Sequence, residues 1–149
     1  MNHGWAVAAA SLRGVGRLRP APGSWGSAVV LPAVLLGPGA CLAGAVLLTL
    51  AGWWALQAMP ADPRAADPGW VVVDEGAGQL LALAALPAGA AWPGVLLAFV
   101  AFRLFDILKP GPVGWADRQA SPIGVMLDDV IAGALAAGVM GVARSLGGF

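Results

Sequence analysis

Acidic side chains stand where a greasy chain has least room for them. Asp74-Glu75 and Asp128-Asp129 interrupt long apolar runs, and Asp106 and Asp117 flank a third. The chain is 59% hydrophobic and 11% charged, with a mean hydropathy of +0.80. An ordinary soluble domain is about 25% charged, so a membrane protein is the leading class. A carboxylate at the centre of a span costs roughly 2.5–3.5 kcal/mol on the most lenient scale. Such groups persist only where they pair, face water or bind a cation. The placement of these six acids therefore restricts the fold to one that gathers them with each other or with the bases Arg103, Lys109 and Arg118.

At 149 residues the sequence predicts a single domain, 1–149, with an all-α architecture: a compact multi-helix bundle, integral to or partly embedded in a membrane. No strand-like alternation is present. The uncharged run from Ala28 to Leu56 contains Gly37-Pro38-Gly39 and reads either as one tilted span or as a hairpin turning there. A second apolar region, Val71 to Phe105, is broken between Pro87 and Pro93. The stretch from Asp106 to Pro122 reads as a polar loop, and the last helix as Ile123 to about Arg144. Met59 to Gly69 is a Pro-rich solvated loop. Trp5, Trp25, Trp70, Trp92 and Trp115 fall near the ends of apolar segments, as interfacial anchors do.

The short apolar stretch Trp5 to Leu12 precedes Arg13, Arg17 and Arg19 instead of following them, which is the wrong order for a cleaved leader and favours a cytoplasmic N-terminus. The hairpin reading keeps the acid-bearing ends on that same side. A net charge of zero leaves no basic footprint for nucleic acid. Cys41 is alone and reads as a small buried hydrophobe, and His3 as terminal and non-catalytic.

Two adjacent acids at a helix start exceed what the helix dipole accounts for, and the same doublet recurs at Asp128-Asp129. Neighbouring helix positions point about 100 degrees apart, so one acid of each pair can face a shared metal while the other orients a ligand or water. Gly78 and Gly133 lie on the acids' own faces and permit close approach of another helix. Arg103, Asp106 and Lys109 recur at i, i+3 spacing among apolar neighbours. Bases beside several carboxylates suit a phosphate held against Mg²⁺. Ser24 and Ser27 read first as helix caps and second as phosphate contacts. The sequence holds no Cys-His cluster, no Gly-rich Lys-Ser/Thr loop and no Gly-x-Ser-x-Gly, which leaves hard-metal oxygen chemistry. The competing reading is a small membrane transporter or proton relay, which would set its ionisable groups at several depths.

Four blocks occur in order: Pro22-Gly23-Ser24-Trp25-Gly26-Ser27; Asp74-Glu75-x-x-Gly78-Gln79; Phe102-Arg103-x-x-Asp106-x-x-Lys109-Pro110 with Trp115-Ala116-Asp117-Arg118; and Gly124-Val125-Met126-Leu127-Asp128-Asp129. Together they resemble the phosphatidylglycerophosphatase A family, over about Ser11 to Gly138. The resemblance implies a Mg²⁺-dependent phosphatase of the bacterial cytoplasmic membrane, its site facing the cytoplasm, that converts phosphatidylglycerophosphate to phosphatidylglycerol and phosphate. On that expectation Asp74, Glu75, Asp128 and Asp129, with Asp106 as a further ligand or water orienter, hold one or two Mg²⁺ ions. Arg103, Lys109 and Arg118, with Ser24 and Ser27, hold the phosphate, and Asp117 orients Arg118. The partners are then the phospholipid substrate and the bilayer.

Overall fold

A computed structural model describes residues 3–59 and 68–148; most of the Pro-rich loop, residues 60–67, lies outside the described residues. Among the described residues every regular element is helical: α1 (Gly4–Ala10), α2 (Pro22–Val29), α3 (Pro38–Ala58), α4 (Val73–Leu83), α5 (Trp92–Leu108), α6 (Pro112–Asp117) and α7 (Pro122–Ser145), with 3-10 turns at Val15–Arg17 and Leu31–Leu36. Prolines stand at the first or second position of α2, α3, α5, α6 and α7. There the missing N–H costs nothing and the fixed φ starts the helix.

A continuous helix from Ala28 to Leu56 is ruled out by Gly37, whose φ of 90° ends the 3-10 turn before α3 begins. The hairpin reading fits the packing on both sides of that break. Gly26 in α2 abuts Val72 and Gly52 in α3 abuts Val73, so the intervening chain leaves the start of α4 and returns to it. The expected polar loop after Asp106 is partly helical: α5 runs on to Leu108, and Lys109 closes it in the left-handed region before α6. Ser121, and neither Ser24 nor Ser27, is a helix cap, accepting a hydrogen bond from the Gly124 N–H at 3.2 Å. Pro22 starts α2 too early for those two serines to cap it.

Helix α4 is the buried centre, packed most extensively on α7 and α3. Gly78 and Gly133 make the α4–α7 seam. A Cβ on Gly133 would overlap the Gly78 carbonyl, and one on Gly78 would overlap the Asp129 carbonyl and the Phe102 ring. Small residues at such a seam let backbones approach closely. Because Gly78 meets residues 129–133 while Val73 and Met126 both meet Gly52, α4 and α7 run in the same direction. Both acid doublets therefore lie toward one end of the bundle.

The outside is apolar. Leu42, Val46, Leu50, Trp53 and Trp54 are exposed along one face of α3, and Leu96, Val100, Leu104 and Ile107 along α5. Helices α3 and α7 are long and apolar enough to cross a membrane. At ~1.5 Å per residue, their 21 and 24 residues match a hydrocarbon core about 30 Å thick.

The seam yields a direct comparison. Gly133→Ala is expected to destabilise the purified protein by about 1–3 kcal/mol, as overpacking does. Gly138→Ala, where an added methyl meets nothing within 4 Å, should leave stability equal or slightly higher. Equal melting temperatures for the two variants would contradict a close-packed seam.

Candidate active site

The starts of α2, α4 and α7 and the end of α5 converge at one end of the bundle, and each contributes polar groups there. Asp74 and Glu75 occupy the first turn of α4, and Asp128 and Asp129 the second turn of α7. Asp74, Asp128 and Asp129 are buried, with 4%, 6% and 3% of their surface exposed. One carboxylate oxygen from each of Asp74, Glu75 and Asp129 lies within 4.8 Å of the others. Residues distant in the chain are thus brought to one point by the close α4–α7 seam.

The two doublets are built alike. In each, the first acid accepts a hydrogen bond from the backbone N–H of the second: Asp74 Oδ1 from Glu75 at 3.1 Å, and Asp128 Oδ1 from Asp129 at 2.9 Å. That bond holds the first carboxylate against its own helix. Glu75 Oε2 and Asp129 Oδ1 are buried without a hydrogen-bond partner among the described residues. Buried polar atoms in native proteins nearly always find a partner, so these two call for an ion, a water or a substrate atom. Burial pushes the Glu75 carboxyl above its usual range, and a hydrogen bond with Asp74 and then the Arg103 charge offset part of the effect. Three clustered carboxylates, two of them with an unpartnered buried oxygen, could serve as a donor set for a hard divalent cation.

Helix α5 supplies the bases. Arg103 pairs with Asp106 one turn on, both mostly buried. Asp106 is also an electrostatic neighbour of Glu75 and Asp129, which places this ion pair against the acid cluster. Lys109, held in the left-handed conformation, bridges Asp117 in α6 and Asp128 in α7, the latter at 2.8 Å. Burial lowers the Lys109 ammonium, but its bonds to Asp117 and Asp128 outweigh that and hold it above its ordinary value.

The expected residues therefore divide. Asp74, Glu75 and Asp129 form the cluster, with Arg103 and Asp106 beside it. Asp128 reaches toward Lys109 instead of joining the three. Asp117 is paired with Lys109, so it does not orient Arg118, which is exposed at the end of α6. Ser27 is buried and donates to the Gly23 carbonyl at 3.0 Å, while Ser24 is half-buried on the same helix.

Two residues matter more than their types announced. Gly23 lets α2 touch the cluster: a Cβ there would overlap Glu75 Oε1 and come within 3.1 Å of Arg103 Nη2. Gln79 is fully buried, with neither amide atom partnered among the described residues. It follows Glu75 by one helical turn, the spacing that sets two side chains on one helix face. The signal for both was their place in the first two of the four sequence blocks, because neither carries a charge.

Known proteins resemble this chain over most of its length. The family model described as Phosphatidylglycerophosphatase A matches residues 8–144. A Haemophilus influenzae protein named phosphatidylglycerophosphatase A is 40% identical over 125 residues, which are 80% of this chain and 76% of that protein. An Escherichia coli K12 protein of the same name is 41% identical over 75 residues, half of this chain and 43% of that one. A Bacteroides thetaiotaomicron protein, named provisionally as a phosphatidylinositol-3-phosphatase, is 41% identical over 100 residues, 66% of this chain and 62% of its own length. No solved structure matches.

The Lys109–Asp128 pair is open to a double-mutant cycle. Lys109→Met and Asp128→Asn should each lower thermal stability, and the double variant should lose less than the sum, by roughly 0.5–3 kcal/mol. Strict additivity would show that the two side chains do not interact.

Proposed function

The chain belongs to the phosphatidylglycerophosphatase A family, a phosphatase of phospholipid synthesis acting on a phosphate monoester, and we propose that its substrate is phosphatidylglycerophosphate and its cofactor Mg²⁺. The observation that carries the reading is the buried trio Asp74, Glu75 and Asp129, with unpartnered oxygens on two of its members and a guanidinium alongside. Asp74, Glu75 and Asp129 would hold the ion, with Asp106 a further ligand or water orienter. Asp128 would act from the rim of the site through Lys109. When bound, Mg²⁺ neutralises carboxylate and phosphate charge and makes water a better nucleophile.

The chain's own residues account for the rest. Arg103 and Lys109 stand on one side of the acids and receive the phosphate, whose charge spreads over its equatorial oxygens as the ester bond breaks. Pairing with Asp106 holds Arg103 in place, and pairing with Asp117 and Asp128 holds Lys109, before substrate arrives. Arg118, exposed beside Lys109's partner Asp117, adds charge at the mouth. Ser24, Ser27 and the Gly23 backbone close the α2 side. Apolar packing by Phe102 and Val73 limits water to the open end.

We place the enzyme in the bacterial cytoplasmic membrane with this end of the bundle at the cytoplasmic face. In support, Arg13, Arg17 and Arg19 lie at that same end, since the Val72 N–H donates to the Ala10 carbonyl and Gly16 abuts Trp70. A transporter or relay would need ionisable groups through the depth of the bundle, whereas these gather at one end.

Purified protein should release phosphate from phosphatidylglycerophosphate with Mg²⁺ and stop with EDTA. Asp74→Asn and Asp129→Asn should each lower kcat about a hundredfold or more while the protein still folds and inserts. Near-normal turnover in both variants would overturn the assignment. Arg103→Ala should lower kcat/KM about tenfold or more, and an unchanged value would remove it from the site.

A further inference from the structure

Three arginines at the active end of the bundle take no part in the acid cluster or its ion pairs. Arg13, Arg17 and Arg19 are exposed, and none forms an ion pair among the described residues. They are not on a loose strand. Leu12, Arg13 and Gly14 are consecutive left-handed residues with φ of 47°, 57° and 101°. The turn is fastened by the Gly14 N–H donating to Ser11 Oγ at 3.0 Å and the Gly16 N–H to the Ser11 carbonyl at 3.0 Å. Gly16 also lies so close to the Trp70 carbonyl that any side chain would overlap it. Consecutive strained residues persist only where their surroundings over-determine them.

The turn walls a cavity of about 430 Å³ lined by Gly16, Arg17, Arg19, Pro22, Gly69 and Trp70, and Arg17 also lines a neighbouring hollow of about 340 Å³ with Arg13. No acidic residue lines either among the described residues. The larger cavity adjoins the acid cluster through two chain segments. Pro22 is followed by Gly23, which abuts Glu75 and Arg103, and Trp70 stands a few residues before Asp74. A hollow lined by two arginines thus sits next to the acid cluster, at the end where lipid headgroups would lie.

The proposed substrate carries two phosphates separated by one glycerol unit: the monoester that is cleaved and the diester that joins glycerol to the diacylglycerol. We propose that the cavity between Arg17, Arg19 and Trp70 binds the phosphodiester of the lipid substrate while the acid cluster and Arg103 engage the monoester. Arginine suits this role because its planar fork presents paired donors to two phosphate oxygens. Trp70 offers an amphipathic ring at headgroup level. The subsite would select a phospholipid monoester over monoesters without a second phosphate. It rests on phosphatidylglycerophosphate being the substrate.

The test uses the full chain in neutral detergent micelles with phosphatidylglycerophosphate at fixed mole fraction. For Arg17→Gln combined with Arg19→Gln, KM should rise about tenfold with kcat within about twofold, the loss expected for one charge-assisted pair. Short-chain phosphatidylglycerol, which has the diester alone, should inhibit this variant about tenfold more weakly, while orthophosphate inhibits both proteins equally. Arg17→Lys with Arg19→Lys should recover part of the loss. Arg144→Gln, whose side chain lies on the Ala85 carbonyl at the opposite end of α4, should match wild type. An unchanged KM, equal weakening of orthophosphate inhibition, or a defect seen only in vesicles rich in anionic lipid would overturn the proposal; the last would mean attraction to the bulk surface. If wild-type protein releases no phosphate from phosphatidylglycerophosphate, the substrate reading itself fails, before any variant is made.

Discussion

Mutual repulsion among Asp74, Glu75 and Asp129 sets the terms for everything around them. Two unit charges at 4.8 Å repel by about 3–4 kcal/mol at an effective dielectric of ~20. Three such pairs approach the whole stability of an ordinary domain, about 5–15 kcal/mol. Three carboxylates in that space therefore need added protons or a cation. Arg103 cannot neutralise them alone, because Asp106 already holds it. A divalent ion would answer the charge and would give Glu75 Oε2 and Asp129 Oδ1 a partner.

The bundle is arranged to create that crowding. Glycine at 78 and 133 brings the α4 and α7 backbones together, which sets one doublet opposite the other. Glycine at 23 lets α2 close over Glu75 and Arg103. Proline starts and the break at Gly37 return the chain repeatedly to the same end, so bases from α5 and arginines from the first turn meet there. Apolar faces on α3 and α5 point outward, where a bilayer would cover them. Polar groups gathered at one end and exposed apolar side chains along the sides would suit an enzyme whose substrate is itself a membrane component.

Much of this was legible in the chain, for reasons that differ from residue to residue. Charge in a greasy helix is loud, so Asp74, Glu75, Asp128 and Asp129 stand out equally, and only the structure separates Asp128 from the other three. Their convergence was inferable only from the need to avoid isolated buried charge. The break in the first apolar run followed from Gly37-Pro38-Gly39, and the structure chose the hairpin over the single span. Partner choice was not legible. Asp117 sits next to Arg118 in sequence but pairs with Lys109, because α6 is a short helix that turns the carboxylate back toward α5. Asp128 likewise points away from its neighbour Asp129 by the helical step of about 100 degrees, and meets Lys109. Gln79 and Gly23 carry no charge, so only their contacts reveal their importance.

Crystals of the protein grown or soaked with Mn²⁺, a redox-stable stand-in for Mg²⁺ with strong anomalous scattering, test the central claim most directly. An anomalous peak is expected within roughly 2.0–2.3 Å of oxygens from Asp74, Glu75 and Asp129, and its loss in Asp129→Asn. A metal bound elsewhere, or three carboxylates lying together with no ion between them at saturating Mn²⁺, would contradict it.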